Sequence, residues 1–79
     1  GFSNKFDKVT GKSPADLNVR KLTGVTITAV KRDSKTFAYP SPAMALQSGD
    51  ELYAVGTSEQ LTRFEQIFQL QRFSPLMTG

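Results

Sequence analysis

Residues 24–32, GVTITAVKR, constrain the fold more than any other stretch of the chain. Val25, Ile27 and Ala29 alternate with Thr26 and Thr28. A period of two, rich in β-branched residues, is the pattern of a strand with one buried face. The flanking sequence supplies what such a strand needs: a capped helix before it, a hairpin partner after it, and a second amphipathic helix near the end. The threonine face is semi-polar, which suits a surface that meets a partner or ligand better than a dry core.

Ser13 is placed to accept a backbone N–H as an N-cap, Pro14 suits the first helical position, and Asp16 stands three residues on, as in a capping box. The predicted helix covers 14–22 and buries Leu17, with Leu22 as a second candidate. Arg20 and Lys21 fall in its last turn, where cations complement the dipole, and Gly24 suits the turn beyond. After the central strand, Arg32, Asp33, Ser34 and Lys35 make a polar, solvated turn, and Thr36, Phe37, Ala38 and Tyr39 read as the hairpin partner. Pro40, Ser41 and Pro42 end it, because proline cannot donate to a ladder. Residues 43–46 form a short apolar return, Ser48, Gly49 and Asp50 a second turn, and residues 51–55 a further strand.

Thr57 with Gln60 fits a second capping box, and Leu61, Phe64, Ile67 and Phe68 form an apolar stripe at helical spacing, read as core. Phe37 and Tyr39 read as core or dimer contacts; the other reading, stacking platforms for a base, is disfavoured because no basic groove lies beside them in the sequence. Residues 1–10 are expected to be a linker or an edge strand, 11–73 the domain, and 74–79 a frayed tail. The class is therefore α+β: a small, mostly antiparallel sheet with both helices packed on one face.

The 79 residues allow one domain with a small core, since a chain of this size buries only roughly 60% of its unfolded surface. Self-association is expected to supply what the core lacks. There is no cysteine and no histidine, so a Cys/His zinc site is excluded. No apolar run approaches the roughly 20 residues that span a bilayer, no signal peptide opens the chain, and the segment reads as cut from something longer. The formal net charge of +3 favours an anionic ligand. The ten Lys and Arg are scattered rather than striped, so nucleic acid is not an expected partner. Asp7, Asp16, Asp33, Asp50, Glu51, Glu59 and Glu65 sit on caps, turns and helix surfaces, with no pairing that would set an acid against a base. No nucleophile elbow and no phosphate-cradling glycine loop is present. The expectation is a protein that is not an enzyme, with no catalytic residue, metal site or cofactor.

Arg20 is the residue with the clearest binding chemistry. Its guanidinium is a planar fork that grips phosphate bidentately. Thr26 and Thr28, on the adjacent strand, offer hydroxyls to the same region. About a two-fold axis the same groups would appear twice, and two Arg20 side chains would bracket a symmetric di-anion. The other reading of Arg20 is a solvated cation that only complements the helix dipole.

The run GKSPADLNVRKLTGVTITAVKR, the PSP after it and the block GDELYAVGTSEQLTRFEQ resemble, in this order and at these gaps, the TrkA-C domain, the C-terminal ligand-binding module of regulators of potassium conductance. The likeness spans about residues 11–68. It implies a regulatory domain on the cytoplasmic face of the cell membrane, part of a K⁺ or Na⁺/H⁺ channel, transporter or antiporter. Such domains pair as two-fold homodimers and pass ligand binding to a membrane part in cis or in trans. Some members bind cyclic di-AMP in the cleft between the two subunits. Carried over by motif, Asn18, Val19 and Arg20 lie at the helix end, Thr26 and Ile27 on the central strand, and Pro42 after the hairpin. Arg20 would meet phosphate, Val19, Ile27 and Pro42 the adenine, and the Asn18 amide would hydrogen-bond. The sequence departs from the pattern at Thr26, where cyclic di-AMP binders usually carry Asn, and at Asn18, where they often carry Asp. The alternative within the family is a ligand-free assembly domain of a transporter's gating ring.

Overall fold

The computed structural model describes residues 1–3 and 9–73; Phe6 and the expected tail at 74–79 lie outside them. In chain order the elements are β1 (Phe2–Ser3), α1 (Val19–Thr23), β2 (Thr26–Arg32), β3 (Lys35–Ala38), β4 (Glu51–Val55), α2 (Ser58–Phe68) and β5 (Gln71–Arg72). They make one sheet in the order β3-β2-β4-β1-β5, with every neighbouring pair antiparallel. The α+β class is as expected. β1 is not at an edge: it lies between β4 and β5, and Phe2 is buried. β5 has no counterpart in the sequence reading, because a two-residue strand offers no periodicity.

The register shows how the faces form. Phe37, Val30, Leu52, Phe2 and Arg72 are consecutive cross-strand partners and so share one face. Val30, Leu52 and Phe2 form one buried cluster with Val19 of α1 and with Phe64 and Phe68 of α2. Both helices therefore cover the same side of the sheet. The next row, Thr36, Lys31, Glu51, Ser3 and Gln71, points the other way.

The central strand does not alternate throughout. Ile27 pairs with Ala54 and Ala29 with Tyr53, leaving Thr28 as an extra residue in a β-bulge. The bulge shifts the phase by one. Val25 and Val30, five residues apart, are then both fully buried, and the core position expected for Ala29 passes to Val30. The Thr28 hydroxyl, 3.1 Å from the Tyr53 carbonyl, donates to it.

The first helix is shorter than predicted. The capping box at its expected start forms: the Ser13 N–H donates to Asp16 Oδ2 and the Asp16 N–H to Ser13 Oγ, both at 3.1 Å. The Ser13 backbone N–H, with the Ser13 hydroxyl, holds the Asp16 carboxyl below the usual carboxylate range. But Asn18 takes φ 52°, a left-handed conformation that Asn tolerates better than most residues, and only Val19–Thr23 continues as helix. The break changes which residues turn inward. Val19 and Thr23 are buried, Leu17 is half-buried, and Leu22 is 47% exposed. Gly24 closes the helix at φ 79°, its N–H donating to the Arg20 carbonyl.

α2 starts as read: the Gln60 N–H donates to the Thr57 hydroxyl at 3.1 Å and the Thr57 N–H to the Gln60 side-chain oxygen at 2.9 Å. Its inward stripe is narrower, with Phe64 and Phe68 buried and Ile67 37% exposed. Removing the cap by Thr57→Ala is expected to cost about 1 kcal/mol. A thermal melt followed by circular dichroism would show this as a fall of roughly 4–8 °C in Tm; an unchanged Tm would mean that the cap is not needed.

Arg32 is more than a solvated turn residue. Its Nε donates to Asp50 Oδ1 at 2.9 Å and its Nη2 to Asp50 Oδ2 at 2.8 Å, and Nη2 also reaches the Ala45 carbonyl. The Asp50 side chain, 1% exposed, accepts the Gln47 N–H as well. This pair fastens the loop after β3 to the far end of β2.

Candidate ligand-binding cleft

Beyond Ala38 the chain leaves β2. The Tyr39 N–H makes a last bond to the Thr28 carbonyl at 2.6 Å, and the Tyr39–Pro40–Ser41–Pro42 strap then crosses to the turn before α1. There the Ala15 N–H donates to the Pro42 carbonyl at 2.9 Å. The strap, the exit of α1 and the first residues of β2 enclose a cleft of about 500 Å³, within the range typical of small-molecule sites.

All six residues singled out from the sequence line this cleft: Asn18, Val19 and Arg20 from the helix side, Thr26 and Ile27 from β2, and Pro42 from the strap. Val19 and Val25 are buried and Ile27 is half-buried, so they form an apolar floor. Thr28, offered as a second hydroxyl, is not in the lining; it bonds within the sheet.

The lining also holds Lys21 and Pro40, to which the sequence reading gives no binding role, and Tyr39, for which stacking is its second reading. Lys21 stands beside Arg20, and Tyr39 and Pro40 form part of the strap side. Two cations and no carboxylate are among the described lining residues, so the electrostatic preference is for an anion. The sequence leaves Tyr39 open between core, dimer and stacking roles. Its place follows from a positive φ of 48° that turns the chain out of the ladder. Among the described residues, no group of acidic side chains, histidines or cysteines could hold a metal ion, and no helix is long and apolar enough to cross a membrane.

Fold and cleft together define a small α+β domain with an apolar pocket rimmed by cations. The family model of the TrkA-C domain matches residues 7–69, and the chain belongs to that family. Potassium channel protein 1 of Methanocaldococcus jannaschii is 39% identical over 61 residues, 77% of this chain and 18% of the relative. The chain thus spans only about a fifth of the length of the curated potassium channel relatives it matches. Among solved structures, the RCK_C domain dimer of S. agalactiae BusR in complex with c-di-AMP is 31% identical, with a TM-score of 0.77 covering 85% of this chain and 90% of that one. The RCK C domain of the potassium transport protein KtrA in complex with c-di-AMP is 33% identical, with a TM-score of 0.79 covering 85% and 79%.

Proposed function

We propose that this chain is the dimeric regulatory domain of a monovalent-cation channel or transporter, acting on the cytoplasmic face of a membrane. In this reading a nucleotide anion such as cyclic di-AMP occupies the cleft. The observation that carries it is the convergence of Asn18, Val19, Arg20, Thr26, Ile27 and Pro42 on one apolar pocket with Arg20 and Lys21 at its rim. The c-di-AMP complexes of the BusR and KtrA domains support it.

A phosphate would meet the Arg20 fork, and the base would lie on Val19, Ile27 and Pro42, with the Asn18 amide and the Thr26 hydroxyl free to hydrogen-bond its edge. A two-fold dimer would double these groups around a symmetric ligand. Binding would then bias subunit orientation by as much as the ligand's affinities for the two orientations differ. The acidic residues do not support catalysis: Asp50 is held by Arg32 and Asp16 by Ser13, and neither lines the cleft. Nor does the scatter of Lys and Arg support a nucleic-acid partner.

Calorimetry of the 79-residue chain with cyclic di-AMP, ATP and inorganic pyrophosphate tests the reading. Cyclic di-AMP is expected to bind with one ligand per two chains. Arg20→Ala is expected to weaken it by about 2 kcal/mol, the loss of a hydrogen bond to a charged group. An unchanged affinity would remove Arg20 from the site. No heat from any of the three, at concentrations well above micromolar, would favour a domain that serves assembly alone.

A further inference from the structure

We propose that Tyr39 is the stacking platform for a base of the bound nucleotide. The inference rests on the cleft reading above and adds to it a recognition residue on the strap.

Every other described aromatic ring already has a partner. Phe2 packs on Phe64 with centroids 4.9 Å apart, Phe64 on Phe68 at 5.6 Å and Tyr53 on Phe73 at 6.2 Å, and the Arg32 guanidinium lies 5.6 Å from the Phe37 ring. Tyr39 is 81% exposed and lines the cleft. Its backbone is also held in an unusual place. A residue before proline is steered towards extended conformations, yet Tyr39 precedes Pro40 at φ 48°. The hydrogen bond from its N–H to the Thr28 carbonyl holds one side of it, and Pro40 fixes the backbone on the other. A left-handed non-glycine residue kept in place by its surroundings points towards function.

The chemistry of the cleft says what the ring is for. A bare anion would be served by Arg20 and Lys21 and would gain nothing from an apolar floor. A ligand with both charge and a flat apolar face uses all three parts: cations for phosphate, Val19 and Ile27 beneath the base, and Tyr39 above it. Tyrosine suits this role because it presents a large rigid face at the cost of only two torsions. Stacking of this kind accepts any base, so selectivity would come from the polar groups at the base edge.

The chain has no tryptophan and two tyrosines, so Tyr53→Phe leaves Tyr39 as its only tyrosine fluorophore. Cyclic di-AMP titrated into that variant, with excitation on the long-wavelength edge of the tyrosine band, is expected to quench the emission saturably, with the midpoint found by calorimetry. Tyr39→Ala is expected to weaken cyclic di-AMP roughly tenfold, near the low end of measured base-stacking losses because the ring is exposed on one side. Tyr39→Leu should fall with alanine, since it keeps bulk without an aromatic face, and Tyr39→Phe should stay within about twofold of the parent chain. Wild-type affinity in Tyr39→Leu, or quenching absent while calorimetry shows binding, overturns the role of Tyr39 and leaves the cleft reading standing. A parent chain that binds neither cyclic di-AMP nor ATP overturns both.

Discussion

Phe64→Ala is expected to destabilise the domain by about 4 kcal/mol, the largest single effect among the substitutions considered. Phe64 is 1% exposed and is the ring at which sheet and helix meet: edge-on to Phe2 at 88° and packed on Phe68 at 65°. Truncation loses the transfer free energy of the ring, leaves a cavity between β1 and α2, and removes both aromatic contacts. A chain of this size has a total stability on the order of 4–12 kcal/mol, so the loss would take a large share of it. Urea denaturation measures the difference directly. Ile67→Ala, three residues on in the same helix but 37% exposed, should cost less than about 1 kcal/mol. Equal effects at the two positions would mean that the helix packs through a broader face than the structure shows.

Asp50→Ala is expected to cost about 3 kcal/mol, by leaving the Arg32 guanidinium without its carboxylate and freeing the loop that the pair fastens. Burial alone would push the Asp50 carboxyl up, but the Arg32 fork and the Gln47 N–H outweigh it and hold the group below its ordinary value. The unfolded chain then binds the proton more readily than the folded one. The contribution of the pair is complete above the unfolded carboxylate pKa near 4 and is lost as the pH falls through the lower native value. Asp16 is depressed too, so acid unfolding draws on both. Denaturant midpoints measured between neutral pH and pH 3 should fall on the acid side in the parent chain and fall less steeply in Asp50→Ala. Parallel pH profiles would show that the pair does not carry the acid sensitivity.

Sequence and structure agree best where the signal is local. The Thr57–Gln60 box, the Ser13–Asp16 box, the β2–β3 hairpin and β4 needed only neighbouring residues and the two periods of side-chain direction. The candidate cleft was legible for a different reason: the order and spacing of LNVR, TGVTI and PSP carry a family likeness, and the six residues taken from it line one pocket. The local signals failed where long-range packing decides. The helix predicted from Pro14 runs through Asn18 because the left-handed tendency of Asn is too weak by itself to mark a break inside a capped helix. Strict alternation fails at Thr28 because a bulge is set by the partner strand, here by the step from Ala54 to Tyr53. Arg32 and Asp50 stand eighteen positions apart, and nothing in either turn announces the other.

By itself, then, the sequence determined the kind and order of the principal elements, the α+β class and the family, because hydrophobic period, capping chemistry and motif spacing are all written along the chain. The tertiary structure alone decided that β1 sits inside the sheet, that Val30 rather than Ala29 enters the core, that Asp50 is buried against Arg32, and that Tyr39 lines the cleft. Each of those depends on where a distant segment comes to rest, and the free energy that settles it comes from burial and pairing between residues far apart in the chain.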